Sequence, residues 1–372
     1  MSPMLTACTA AGALLRLSGP GRLLAVLLLL VSGALQAAEH CVVLQYHHFS
    51  EDTPAVTSVT PERFDKHLDY LKNNGFAVLP LRDVVDALKH RRELPDRCVS
   101  LSVDDAYVSV YTNAFPRLRK LGWPLTVFVN TAAVDEGNAA YMSWEQMREL
   151  AKQGVEFENH GHGHIHMIRR PPNETDSGWR QRVRADISTA QQRITAELGN
   201  APQLFAHPYG EFSPDVIAIV SEMGLTGFGQ QSGPVWPGAN FGALPRFPMA
   251  AGYARMEGFI TKVNTLPLPV VSAEPVDPLV PLGQRRPGLT LELEPGRYTR
   301  AAIRCFVGGR DAVDIAWTGN GANTLVVSPA FDLQPGRHRT NCTMPSGQKG
   351  RYHWYSHNWF VRKEDGSWYS EY

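Results

Sequence analysis

CVSLSVDDAY, residues 98–107, decides the fold. Residues 99–103 form a short apolar run that reads as a buried strand, and Asp104 and Asp105 follow at its end. Runs of the same kind recur at 42–45, 76–79, 124–129, 155–157 and 204–206. Helical patterns lie between them. Thr60 and Pro61 open one whose face carries Phe64, Leu68 and Leu71 and which stops at Gly75. Another carries Val84, Val85 and Leu88, and Ser143 with Gln146 forms a capping-box signature. A long polar helix covers 179–198, and a shorter one at 214–223 stops at Gly224. Strands alternating with helices imply a parallel sheet, and this many units imply a closed or nearly closed barrel.

The texture changes near Leu266. Residues 269–282 are proline-rich without helical periodicity and read as a linker between a barrel at 39–268 and a β-rich domain at 283–372. In that last domain short β-like runs at 289–293, 302–307, 313–317, 324–327 and 352–360 are separated by turns such as Pro295-Gly296 and Pro335-Gly336. This spacing predicts a small β-sandwich. Trp317, Trp354, Tyr355, Trp359 and Trp368 either stack on sugars there or fill the sandwich core.

A formal net charge of +0 gives no electrostatic case for a nucleic-acid partner. Arg16 and Arg22, an apolar run at 23–30 and the small-residue exit at Ala37 and Ala38 have the layout of a cleaved signal, assigned to 1–38. The expected location is therefore periplasmic or extracellular, with no stable membrane span after cleavage. Cys41, Cys98, Cys305 and Cys342 remain, an even count that favours disulfides in an exported chain. Cys305 with Cys342 is the preferred pair because both lie in the C-terminal segment, and Cys41 with Cys98 would follow by elimination; the sequence alone does not fix the connectivity, and four buried free thiols are the alternative.

Several segments carry chemistry. Adjacent carboxylates at a strand end, Asp104 and Asp105, point in different directions and can take different jobs. ENHGHGHIHM at 158–167 places His160 with His164, and His162 with His166, at i, i+4. Either pair suits one metal ion, so spacing alone does not choose. FAHPYG at 205–210 is a turn able to aim a backbone N–H at an oxyanion. Arg246 in LPRF can hold a carboxylate ionised, and LQYHHF at 44–49 supplies His47 and His48.

Together these segments resemble the polysaccharide deacetylases of carbohydrate esterase family 4, over residues 42–268. The fold is then α/β, a distorted (β/α)7-type barrel followed by the β-sandwich-like domain. The resemblance implies that Asp104 is the catalytic base, that Asp105, His160 and His164 bind the metal, and that Arg246 sits against Asp104. It places Pro208 and Tyr209 in the substrate groove, with the Tyr209 N–H on the oxyanion. The Tyr46-His47 pair and YMSWEQMREL at 141–150 are most similar to the branch containing poly-β-1,6-N-acetylglucosamine deacetylases. Ala106 stands where the family usually has Gly, and His207 replaces the Arg or Tyr usual before Pro-Tyr-Gly. The family's late Leu-x-His motif is missing, so His47 is the substitute general acid, with His48 as the fallback.

The expected activity is removal of N-acetyl groups from a polysaccharide containing N-acetylglucosamine, with release of acetate. The cofactor is a divalent metal, zinc first and cobalt or nickel after it. The alternative is a non-catalytic glycan-binding protein on the same barrel. The C-terminal domain is a candidate docking module.

Overall fold

The computed structural model describes residues 37–319, 321 and 323–370. The signal assigned to 1–38 lies outside them except for Ala37 and Ala38. No helix among the described residues is long and apolar enough to cross a membrane.

Eight strands make one sheet: β1 Val42–Tyr46, β2 Ala77–Val78, β3 Cys98–Asp104, β4 Thr126–Val129, β5 Glu156–Asn159, β6 Leu204–Ala206, β7 Thr226–Phe228 and β8 Phe247–Pro248. Their order is β7-β6-β5-β4-β3-β1-β8, with β2 beside β3 off that path, and every pairing is parallel. Leu244 bridges to Phe228, and Phe247 pairs with Leu44. One short segment thus joins the two edges of the sheet, and the result is the expected distorted (β/α) barrel.

Helices α1 Pro61–Asn73, α2 Leu81–Lys89, α3 Phe115–Leu121, α4 Trp144–Ala151, α5 Asp176–Leu198, α6 Pro214–Glu222 and α7 Met256–Val263 alternate with the strands. The Thr60 hydroxyl accepts from the Arg63 N–H, and the Ser143–Gln146 capping box forms. Strand side chains divide by the period of two. Leu44, Leu101, Val103, Val127 and Val129 join Phe64, Leu68 and Leu118 in one core. Val43, Phe128, Ala206, Phe228 and Leu244 belong to another, which links strands across the barrel. Each such burial stabilises the fold by about 1.5–3 kcal/mol. Gln45, Ser102 and Asp104 alternate with the first set, so the sequence itself turns polar groups into the barrel mouth.

The C-terminal strands are β9 Leu266–Pro267, β10 Val270–Glu274, β11 Leu289–Leu293, β12 Arg304–Val307, β13 Val313–Thr318, β14 Thr324–Pro329, β15 Gly336–Pro345 and β16 Tyr352–Val361. They form two four-stranded sheets, β9-β16-β15-β12 and β10-β11-β14-β13. Leu289, Leu291, Val307, Leu325, Val327 and Trp359 share the core between them. Two features differ from expectation. Residues 269–282 are not a bare linker, because β10 pairs with β11; proline excludes helix but leaves extended backbone open at an edge strand. β15 has no apolar run to announce it, since its buried side chains are only Thr340, Cys342 and Met344, flanked by exposed or half-buried polar neighbours.

Cys41 is bonded to Cys98 and Cys305 to Cys342. Of the C-terminal aromatics, Trp359 is buried, Trp317 and Tyr355 pack on the sandwich core, and Trp354 meets Phe247 edge-on at 5.4 Å. Arg351 bonds both oxygens of Asp96, at 2.8 and 2.7 Å, tying sandwich to barrel.

Candidate metal and catalytic centre

Asp104 is the last residue of β3 and points inward, fully buried. Asp105 would face the other way on a continuing strand. It does not, because Asp105 and Ala106 adopt left-handed φ values of 72° and 57°. That kink lets neighbouring carboxylates serve one pocket, at a cost of about 1–2 kcal/mol per non-glycine residue.

Arg246 reaches Asp104 with two parallel bonds, Nη1 to Oδ1 at 2.6 Å and Nη2 to Oδ2 at 2.8 Å. The Gln45 amide donates to Oδ2 at 2.6 Å. Burial opposes ionisation of Asp104, but the Arg246 charge, the adjacent imidazoles and the guanidinium hydrogen bonds outweigh it and hold the carboxyl well below the usual range. His47 Nε2 lies 4.0 Å from Oδ2. His48 turns away and stacks on Tyr107 with ring centroids 3.6 Å apart.

Asp105 Oδ1 lies 3.5 Å from His160 Nε2 and 3.4 Å from His164 Nε2. Ligand atoms of these three residues all fall within 4.8 Å of one another. His160 Nδ1 is paired with the Ala206 carbonyl at 2.7 Å, which leaves Nε2 facing the cluster. Asp105 Oδ1 is buried with no hydrogen-bond partner. Burial pushes its carboxyl up to about 6 and the His160 imidazole down to about 3. An orphaned carboxylate oxygen beside two imidazole nitrogens fits a divalent cation, which would satisfy all three.

The other histidines go elsewhere. His162 Nδ1 meets the Thr131 hydroxyl at 2.8 Å, and His166 Nδ1 meets Glu211 Oε2 at 2.8 Å. The loop is set by Asp186, whose carboxylate accepts from the His162 and Gly163 N–H groups at 3.0 and 2.8 Å. A Cβ at Gly161 would come within 2.5 Å of Asp186. Tyr209 sits at φ 59° in the Pro208–Gly210 turn, its ring 4.5 Å from His164 and stacked at 3.7 Å on His166. Arg337 from β15 donates to the Tyr209 carbonyl at 3.0 Å. His207 is fully buried and pairs with the Gly242 carbonyl at 2.8 Å, so it anchors the segment after β7; Gln45 and Arg246 are the partners that orient Asp104.

Sequence reasoning missed Gln45, Asp186, Glu211 and Arg337. Only Gln45 carries a signal, as a polar residue in an otherwise apolar strand, VVLQY.

Residues 91–228 match the family model described as polysaccharide deacetylase. This chain carries a polysaccharide deacetylase domain. The family is one of metal-dependent hydrolases, and the deacetylase domain here has a candidate metal cluster to match. Its relatives include the poly-beta-1,6-N-acetyl-D-glucosamine N-deacetylase of Staphylococcus aureus strain MRSA252, 26% identical over 194 residues, or 51% of this chain and 67% of the relative. IcaB from Ammonifex degensii superposes with a TM-score of 0.52 at 26% identity, covering 58% of this chain and 94% of that one. The Streptococcus pyogenes deacetylase PplD, solved with acetate, gives a TM-score of 0.52 at 23% identity over 57% and 93% of the two chains, a likeness of fold.

Proposed function

We propose that the protein is an exported hydrolase that removes N-acetyl groups from an N-acetylglucosamine polymer, poly-β-1,6-N-acetylglucosamine being the first substrate class to test. The observation that carries this is the cluster of Asp105, His160 and His164 beside an Arg246-clamped Asp104 at the mouth of the barrel. The S. aureus relative, named for that polymer, points to the same linkage.

Asp105, His160 and His164 would hold the metal, with zinc expected from a carboxylate and two imidazoles. Once bound, a divalent ion supplies Lewis acidity to the acetamide carbonyl and to water. Asp104, kept ionised by Arg246, takes the proton of the attacking water. The Tyr209 backbone N–H, aimed by the strained Pro208–Gly210 turn, faces the developing oxyanion. His47 gives a proton to the departing sugar amine, and its position beside Asp104 supports that role over His48. Two disulfides suit an oxidising compartment.

Acetate assay on N-acetylglucosamine oligomers of β-1,6 and β-1,4 linkage tests this. Release from one linkage supports a deacetylase of that polymer. Stoichiometric metal without release from any N-acetylated glycan would leave a glycan-binding protein.

A further inference from the structure

A cleft of about 440 Å³ lies between the catalytic turn and the C-terminal sandwich. Tyr209 and Gly210 form one wall, and Gly308, Arg337, Arg339 and Asn341 contribute to the other. Lys262, from α7, also lines it. No aspartate or glutamate is among the described residues lining the space.

Two of these cations are unusual. Lys262 is only 7% exposed, and its ammonium donates to the Tyr253 and Pro248 carbonyls at 2.6 and 3.3 Å. Arg339 donates to the Gln230 carbonyl at 2.7 Å and the Ser232 hydroxyl at 2.8 Å, while its Nε is buried without an acceptor. Among the described residues, neither has a carboxylate partner within ion-pair distance. Burial lowers the affinity of both for their protons, Lys262 to about 8, with the charge of Arg339 adding to the effect on Lys262. Lys262 is buried and Arg339 half-buried with its Nε sealed from water; like charges so desolvated without a counter-ion are costly, and a fold that keeps both around a polar void has left room for the counter-ion.

We propose that this cleft binds an oxyanion, a carboxylate or phosphate group, between Lys262 and Arg339. The site is separate from the metal cluster and exists only where barrel and sandwich meet, since Lys262 comes from one and Arg339 from the other. The anion is either free in solution or a substituent on the polymer passing the Tyr209 turn.

Titration calorimetry with inorganic phosphate on the metal-loaded full chain, repeated after chelation, tests the site. Saturable binding is expected to survive chelation and to weaken at least about tenfold in Lys262→Met. Arg339→Gln gives the same reading should Lys262→Met fold poorly. Thermal melting adds a readout that a purely structural lysine would not give. Lys262→Met should melt higher than wild type in anion-free buffer, because a desolvated charge is gone, and should lose the phosphate-induced rise. Binding that disappears on chelation yet persists in both variants belongs to the metal cluster and overturns the proposal, as does the absence of saturable binding.

The source of the anion is read separately, in an arm that rests on the deacetylase proposal. For a polymer-borne group, a carboxylated N-acetylglucosamine oligomer shows a lower KM than the neutral one, and Lys262→Met erases the difference. For a free anion, phosphate binds and the two KM values agree.

Discussion

Arg246 and Asp104 meet through two parallel hydrogen bonds of 2.6 and 2.8 Å, with both side chains wholly buried. Their 142-residue separation in sequence is closed only because the 244–248 segment seals the barrel, so completing the fold and fixing the base are one event. Two-point pairing fixes the plane of the carboxylate as well as its charge.

Arg246→Met leaves that carboxylate buried and unpaired, and is expected to cost about 3–5 kcal/mol of stability. With the guanidinium gone, burial is opposed only by the Gln45 amide and the adjacent imidazoles, and the pKa of Asp104 rises. The acidic limb of the pH–activity profile should therefore move toward neutral pH, measured alongside denaturant unfolding. An unshifted limb would mean that Asp104 does not govern it.

Ala106 carries a left-handed φ of 57° and no exposed surface. Ala106→Gly is expected to keep activity and to change stability by no more than about 1 kcal/mol, because relief of strain offsets the added chain entropy. Ala106→Val should be severely destabilising, since a β-branched side chain meets both the strained backbone and a packed core. Melting temperatures of the two variants decide it.

Much of this was legible in the sequence. Six of the eight barrel strands were, β1 to β6, because their apolar runs stand between helical patterns; β7 and β8 were not, being only three and two residues long. Asp104, Asp105, His160 and His164 were singled out just after apolar strand runs, which is where a parallel barrel gathers chemistry, and Arg246 was singled out in LPRF late in the barrel, where it precedes β8. Choosing His160 and His164 over His162 and His166 needed the resemblance, as both pairs share one spacing. β15 was illegible because a strand between a second sheet and a polar cleft shows only every other residue to the core. Its arginines could not be assigned to the Tyr209 turn without knowing how the sandwich docks.

Four buried histidines away from the metal cluster, His40, His67, His207 and His357, have their pKa pulled by burial from 6.5 to about 4. Above pH 6.5 they are neutral whether folded or not, and their contribution is fully favourable. As pH falls toward 4 the unfolded chain binds protons that the folded one refuses, so stability is lost across that window. The loss is up to about 1.4 kcal/mol per histidine per pH unit. Melting temperature against pH should fall between 6.5 and 4, with net proton uptake on unfolding; a flat profile there would contradict it.

Removing one ligand should separate metal from fold. Asp105→Asn keeps the volume but loses the anionic oxygen that faces both imidazoles, and its bound metal should fall from stoichiometric to a small fraction. Elemental analysis after dialysis measures this, and circular dichroism should show the fold retained. Full metal occupancy in the variant would remove Asp105 from the ligand set.

The most direct test compares acetate release by the zinc-loaded wild type and Asp104→Asn on N-acetylglucosamine oligomers, with metal content measured in both. The expected result is release by the wild type, none by the variant, and equal zinc. A variant that releases acetate at the wild-type rate would contradict the assignment of Asp104 as base, and with it the central account of this site.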